Sequence, residues 1–449
     1  MHRLPLLKRL AVTVAALSAS LAAPDVSVAQ GWLQLTTPSA NIGPIACSAD
    51  GSKLLLASGY RDDQGGVLYV SHDSGATWTT ADVPAGLWSA VASSAEGTVL
   101  TAVMATYNQS GTVYISTDSG TNWSRAALPV ALWEGVACSA NGAALYATAS
   151  RTTNGSPEGI YASADGGATW SPAGAPPPTT NGDWGPLACS ADGMRVMVGE
   201  GPCVWISTNA GMNLRLAFTL DPPYLVPGDR FVCASLACSA DGGKVAVGAE
   251  AGEIYTQVAV ATSGDSGATW AWTSATNDWL CSIWRPVCVS ADGHRLAVAE
   301  VDVITPVGML PTGPVLVSED AGVSWVEPPG VADPGWSGSA APWTGLAMSA
   351  DASRLTGVFV DGFDLSDPSV VVQQAAPAPM VGIAVSTKQL VLSWIVPSVS
   401  LALQQSSNIG AANWTDVPGA PVLNYSTLRQ EVTVPSSGKQ MFYRLVSRP

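Results

Sequence analysis

The sequence predicts an all-β protein assembled from repeated four-stranded units, and three observations carry that prediction. Of 449 residues only 12% are charged, while 45 are Gly and 32 are Pro. Surface helices need rows of Lys and Glu, and this chain has 5 Lys in all. Similar segments recur every 45 to 59 residues, and each alternates short apolar runs with Gly or Asp turn clusters.

Each unit has two halves. The first is an apolar run ending in a turn: Ile42 to Gly51, Trp88 to Gly97, Trp133 to Gly142, Trp184 to Gly193, Cys233 to Gly242, Trp284 to Gly293 and Trp343 to Ala352, seven copies in all. The second is a strand followed by an Asp turn: Ser71 to Trp78, Ser116 to Trp123, Ser163 to Trp170, a worn copy from Ser207 to Leu214, Ser263 to Trp270 and Ser318 to Trp325, six copies. In the second unit the expected strands are Trp88 to Ser93, Val99 to Ala105, Thr112 to Ser116 and Asn122 to Ala127.

The mismatch of seven against six resolves at the N-terminus. Trp78, Trp123 and Trp170 are each followed six residues later by Pro, and so is Trp32, by Pro38. Trp32 therefore reads as the strand after a seventh Asp turn, lent to the last unit. Four-stranded units at this period are the signature of propeller blades, and a borrowed strand removes the open edges where ring meets ring. The expectation is a seven-bladed β-propeller over residues 30–374, closed by an N-terminal strand.

The pattern Ser-x-Asp-x-Gly-x-x-Trp resembles the Asp-box, or bacterial neuraminidase repeat, and the chain resembles the Asp-box β-propellers over about three-quarters of its length. The resemblance implies that Asp73, Asp118, Asp165, Asp265 and Asp320 are structural. The chemistry agrees: an Asp carboxylate can accept hydrogen bonds from the amides of its own turn, Gly75 can take positive φ, and Trp78 can pack between sheets.

The flanks differ in kind. Arg3, Lys8 and Arg9 precede an apolar run from Leu10 to Ala23 and then small residues. This is the pattern of a secretory signal peptide over 1–29, which places the protein outside the cell, in the periplasm or on the cell surface. No later run is long and apolar enough to span a membrane. Residues 375–380 read as a Pro/Ala linker. Residues 381–449 read as a small β-sandwich resembling immunoglobulin or fibronectin type III modules, with Trp394 and Phe442 as core anchors.

The Asp-box resemblance brings sialidases into consideration. Such enzymes need an arginine triad and an Arg-Ile-Pro-type motif before the first box, on six blades; here no Arg occurs between Arg9 and Arg61. Xyloglucanase-type enzymes resembling this pattern use two propellers, and this chain has one. Photosystem assembly factors and sortilin-type receptors of similar architecture bind proteins or peptides.

A third candidate comes from the repeat. Trp88, Trp133, Trp184, Trp284 and Trp343 fill one slot at the start of the innermost strand, towards the face opposite the Asp turns. Loops on that side carry Arg61, Asp62, Asp63, Arg151, Glu158, Glu200, Arg230, Glu250, Glu300, Asp302, Asp361 and Asp364. Aromatic faces beside carboxylates suit a protein or glycan ligand, so the five Trp with Glu200, Glu250 and Glu300 form the candidate site; packing between blades is the competing role for the Trp. The two functional readings are an exported, non-enzymatic binding or scaffold protein, and a carbohydrate-active enzyme of the sialidase-like superfamily that uses the rim carboxylates.

Other chemistries find little support. A net charge of −15 disfavours nucleic acid. The 3 His include His72 and His294 in turns of separate blades, and no metal-binding or phosphate-loop motif appears, so neither metal nor cofactor is expected. Cys47, Cys138, Cys189 and Cys238 share a slot that elsewhere holds Ser93, Val289 or Met348, which suits modest buried side chains. Cys203, Cys233, Cys281 and Cys288 are the candidates for disulfides.

Overall fold

The computed structural model describes residues 32–35, 42–59, 65–105, 111–150, 158–174, 184–220, 231–251, 260–273, 281–305, 308–310, 315–328, 343–360, 368–374, 381–385, 389–397, 401–408, 413–435 and 441–447. The segments assigned to the leader (1–29) and the linker (375–380) lie outside them. Every regular element among the described residues is a strand. The chain is a β-propeller followed by a two-sheet module.

Blade three shows how sequence becomes blade. Its strands Leu132–Cys138, Leu145–Ser150, Gly159–Ser163 and Ser171–Pro172 pair antiparallel in chain order. Successive side chains on the innermost strand point to opposite faces. Val136 packs in one cluster with Val103, Val113 and Ile115 of the preceding blade, and Ala137 packs in another with Trp184 and Leu187 of the next. Both faces are covered, which is why the run, Glu134 apart, is apolar rather than alternating.

The same four-strand order begins at Ile42–Cys47 in blade one, Leu87–Ser93 in blade two, Trp184–Cys189 in blade four and Phe231–Cys238 in blade five. Blade six departs from it. Its second strand, Leu296–Thr305, pairs with Val315–Ser318 on one half and with an added strand, Gly308–Leu310, on the other; the usual fourth strand is reduced to a bridge between Val317 and Val326. Blade seven consists of Trp343–Met348, Arg354–Val360 and Pro368–Gln374, and its fourth strand is Trp32–Leu35, with Trp32 opposite Gln373 and Leu35 opposite Val370.

That N-terminal strand also meets blade one. Gly75, at φ +90°, faces Leu35: a Cβ there would stand 2.6 Å from Leu35 Cδ1, and the backbone angle is what demands glycine.

The C-terminal module has two antiparallel sheets, Gly382–Val385, Gln389–Ile395, Arg429–Pro435, Val422–Asn424 and Thr415–Asp416, Leu401–Ser406, Phe442–Ser447. Leu392, Trp394, Leu403, Val432 and Leu445 form its core. Trp394 is buried as expected, but Phe442 is only half-buried. Strand alternation explains this: Tyr443 and Leu445 share the inward face, so Phe442 falls on the other.

Candidate functional site

The Asp turns are closed hydrogen-bond systems. In the copy at 116–123, Ser116 Oγ donates to Asp118 Oδ1 at 2.9 Å, and Gly120 N donates to Ser116 Oγ at 2.8 Å. Asn122 donates to the same carboxylate through N, 2.8 Å to Oδ1, and Nδ2, 2.6 Å to Oδ2. Thr77, Thr169, Thr269 and Ser324 do the same with main-chain N and hydroxyl to Asp73, Asp165, Asp265 and Asp320. The side-chain hydrogen bonds from Thr169, Thr269 and Ser324, first among several, hold the carboxyls of Asp165, Asp265 and Asp320 down to about 2. In the worn copy Asn209 Oδ1 replaces the carboxylate and still receives Ser207 Oγ and Asn213 N.

These turns share a face with the turns that end the innermost strands. Ser74 N donates to Ser52 O at 2.7 Å and Ser119 N to Thr98 O at 2.9 Å, and four more blades repeat the bond. On this face lies a feature the sequence reading overlooked. The Ala two residues after the slot that holds Cys47, Ser93, Cys138, Cys189, Cys238, Val289 or Met348 donates its N–H to the carbonyl of the Ala in the next blade: Ala49 to Ala95, then Ala140, Ala191, Ala240, Ala291, Ala350 and back to Ala49, at 2.7 to 3.0 Å. The signal was present, since all seven turns keep this Ala while the slot before it varies.

The alanine ring is covered. Leu428 packs against both halves of it; Ile395, Val396 and Leu423 join it over Ala49 and Ala350, and Tyr425 joins it over Ala140, Ala191 and Ala240. Tyr425 Oη donates to Glu96 Oε1 at 2.6 Å. Leu428 sits at φ +50° while its carbonyl accepts Val396 N at 2.9 Å. Left-handed backbone costs a non-glycine residue about 1–3 kcal/mol, so packing on the ring must offset it. The module is thus a stopper on this mouth.

Towards the opposite mouth, four of the five slot tryptophans are buried. Trp88, Trp133, Trp184 and Trp343 are 1%, 0%, 5% and 7% exposed. Trp88 packs with Leu55 and Leu68 of the preceding blade, meets Tyr114 edge-on at 5.7 Å and donates from Nε1 to Gly66 O at 3.0 Å. These indoles are packing between blades, with no face left for a ligand. The side chain of Trp284 lies outside the described residues, as do those of Glu250 and Glu300.

Glu200 stands opposite Trp184 in the ladder and is buried, accepting Trp205 Nε1 at 3.0 Å. Glu300 stands opposite Trp284 two blades on, and Glu250 opposite Val232 between them. The structure places the three on separate blades. Among the remaining rim residues, Glu158 is exposed, and 61–63, 151, 230, 361 and 364 lie outside the described residues.

A carboxyl that the sequence reading passed over lies nearby. Glu134 follows Trp133 on the innermost strand of blade three, is half-buried, and burial pushes its carboxyl up to about 7. The cysteines are inert by comparison. Burial pushes the thiols of Cys47, Cys138 and Cys238 up to about 12 and also raises those of Cys203, Cys233 and Cys288, so none is a ready nucleophile. All six are free thiols, as is Cys189, so Cys203, Cys233 and Cys288 form no disulfide; Cys281's side chain lies outside the described residues. Among the described residues no group of three His, Cys, Asp or Glu is placed to hold a metal, and no helix is long and apolar enough to cross a membrane.

No family model and no curated protein matches the sequence. Solved structures do match in fold. YCF48 bound to D1 peptide aligns at TM-score 0.50 and 14% identity, over 77% of this chain and 96% of that one. The β-propeller domain of Myceliophteria thermophila Cps50 (Swd1) aligns at 0.52 and 11%, over 77% and 98%. Kuenenia stuttgartiensis hydrazine synthase aligns at 0.52 and 13%, over 76% and 97%. At such identities the likeness is one of fold, and the fold is a β-propeller.

Proposed function

We propose that this is an exported, non-enzymatic binding protein of the Asp-box type that presents the face opposite its Asp turns to a protein or glycan. The observation that carries this reading is the stopper: Leu428 and Tyr425 cover the alanine ring, which leaves the mouth ringed by the innermost-strand starts as the one the module does not occupy. The Asp carboxylates are consumed by their own turns, and Glu200 is held by Trp205, which supports structural roles for them. YCF48, similar in fold, is bound to a peptide in its solved structure. The immunoglobulin- or fibronectin-like module caps the ring, and the leader at 1–29 directs export.

The competing reading is a carbohydrate-active enzyme. Glu134 favours it, because a carboxyl raised to about 7 can act as a general acid. Hydrolysis also needs a second carboxylate about 5–9.5 Å away. A peptide and glycan array probed with the full chain tests the two readings. Retention of an unmodified ligand supports binding, cleavage of a bound glycan supports the enzyme, and an array without ligands counts against both.

A further inference from the structure

The blades repeat one plan, so a place where a single blade departs from it at several positions answers a demand the others do not share. The Asp-turn corner of blade four is such a place. Asn209 replaces the carboxylate of the turn, and Met212 stands where Ala76, Ala168 and Ala268 follow the turn glycine. Met194 takes the position of Ser52 and Thr98, and Leu216 that of Thr80 and Arg125. Met194, Met212 and Leu216 are 47%, 63% and 49% exposed. Blade six also sets an exposed apolar residue after its glycine, Val323, but keeps the carboxylate of Asp320 in the turn.

Main-chain bonds bring these positions together. Ala210 N donates to Met194 O at 2.8 Å, which sets the turn at 190–194 against the turn that carries Met212. Leu216 follows four residues on, in the outer strand Arg215–Thr219. The first turn joins the two inner strands of the blade and the second joins the two outer ones, so Asp192 lies on the axis side of the apolar group and Arg215 on its rim side. Both are exposed; Asp192 accepts Met194 N at 2.9 Å, and Arg215 Nη2 donates to Ser266 O at 3.0 Å. Grouped exposed apolar side chains mark contact surfaces, and Met and Arg are both favoured in protein interfaces.

The outer strand and the charge select what covers this corner. The strand has five residues against two or three in blades one, two, three and five, but it skips Ala217 between the pairs Trp205–Leu216 and Val204–Phe218. A bulged edge is a poor template for an added strand, so contact here is made by side chains. A chain of net charge −15 repels its own copies, and the five other Asp turns each present a carboxylate where this one presents an amide. With Asp192 on one side of the apolar group and Arg215 on the other, the patch is self-complementary. A twofold axis through its middle sets each Arg215 against Asp192 of the second copy.

We infer that this corner is the contact surface between two copies of the chain, paired about a twofold axis with Met194, Met212 and Leu216 at the centre and Arg215 and Asp192 at the edges. Such a dimer stands whether or not the mouth away from the Asp turns binds a ligand.

The test is sedimentation velocity of the full chain across a concentration series. A monomer–dimer equilibrium is expected over about 1–100 µM, the range of a small interface, and a monomer at every concentration overturns the inference. Met212→Asp and Leu216→Asp, both at exposed positions, should each weaken the dimer about tenfold or more, with circular dichroism spectra and melting curves unchanged. Arg215→Glu should also weaken it, by facing Asp192 of the second copy. Adding Asp192→Asn, an amide that the equivalent turn of blade three carries as Asn141, should recover part of that loss. A dimer that all of these variants leave intact, or a double variant no better than Arg215→Glu alone, contradicts this surface.

Discussion

Ala350 N donates to Ala49 O at 2.7 Å, and this bond joins the last blade to the first. The six preceding bonds repeat it from blade to blade, so the ring is a closed cycle of main-chain contacts that only a small side chain permits. The same seam is tied at its rim by Arg354, whose Nη1 reaches Ser74 Oγ and, at 3.4 Å, Gly51 O.

Removing residues 31–38 takes the fourth strand from blade seven and leaves Pro368–Gln374 as an exposed edge. The propeller should melt well below the intact chain in differential scanning calorimetry. An unchanged melting curve contradicts closure by this strand.

The slot tryptophans supply a second test, with the opposite sign for function. Trp133→Ala empties a fully buried site and should cost about 3–5 kcal/mol in urea unfolding. A variant of full stability that has lost ligand binding would return Trp133 to the binding surface.

How much of this was legible in the sequence follows from what repeats. The Ser, Asp, Gly and Trp of the Asp turn recur because one turn geometry is built many times, and even the worn copy with Asn209 and Leu214 keeps its bonds, so spacing alone revealed them. The slot Trp was equally visible, yet its role was not: an aromatic at a strand start looks the same whether it faces a ligand or Leu55 and Leu68 of the preceding blade. The cover on the alanine ring joins a separate module to the blades, as in the bond between Tyr425 and Glu96, 329 positions apart, and no periodicity encodes it. Glu134 escaped notice because its significance lies in its burial, which no spacing encodes.

The stopper can be released by Leu428→Asp, which sets a carboxylate against the apolar ring. Burying an unpaired charge is costly, so the module should undock and unfold separately from the propeller. Urea unfolding should then show two transitions where the intact chain shows one; a single transition at the original midpoint would contradict the docking.

Acid should separate the two kinds of carboxyl. The Asp-turn carboxyls lie at about 2 when folded, below their ordinary 3.8, so the stability they contribute is present above that value and is lost as pH falls through 2. Asp118 is lowered in the same direction by Asn122. Asp118→Ala should reduce stability at neutral pH, flatten this acid limb and leave ligand affinity alone. A selective loss of binding would overturn its structural role.

Glu134 behaves in the reverse sense. Its folded value, about 7 against 4.5, means that the folded state holds the proton more tightly, so its favourable contribution is full below 4.5 and disappears as pH rises through 7. E134Q should therefore be more stable than the wild type at pH 8 by about 1–2 kcal/mol after allowance for solvent screening, and the two should converge near pH 4. Parallel pH profiles would contradict the desolvated carboxyl.

The claim on which the rest depends is that ligands meet the mouth away from the Asp turns, and hydrogen–deuterium exchange of the full chain with and without its array-selected ligand tests it most directly. Protection is predicted over the innermost-strand starts at 87–90, 132–136 and 343–346, with no change over 71–78, 116–123 and 163–170. Protection concentrated in those three Asp turns would contradict it.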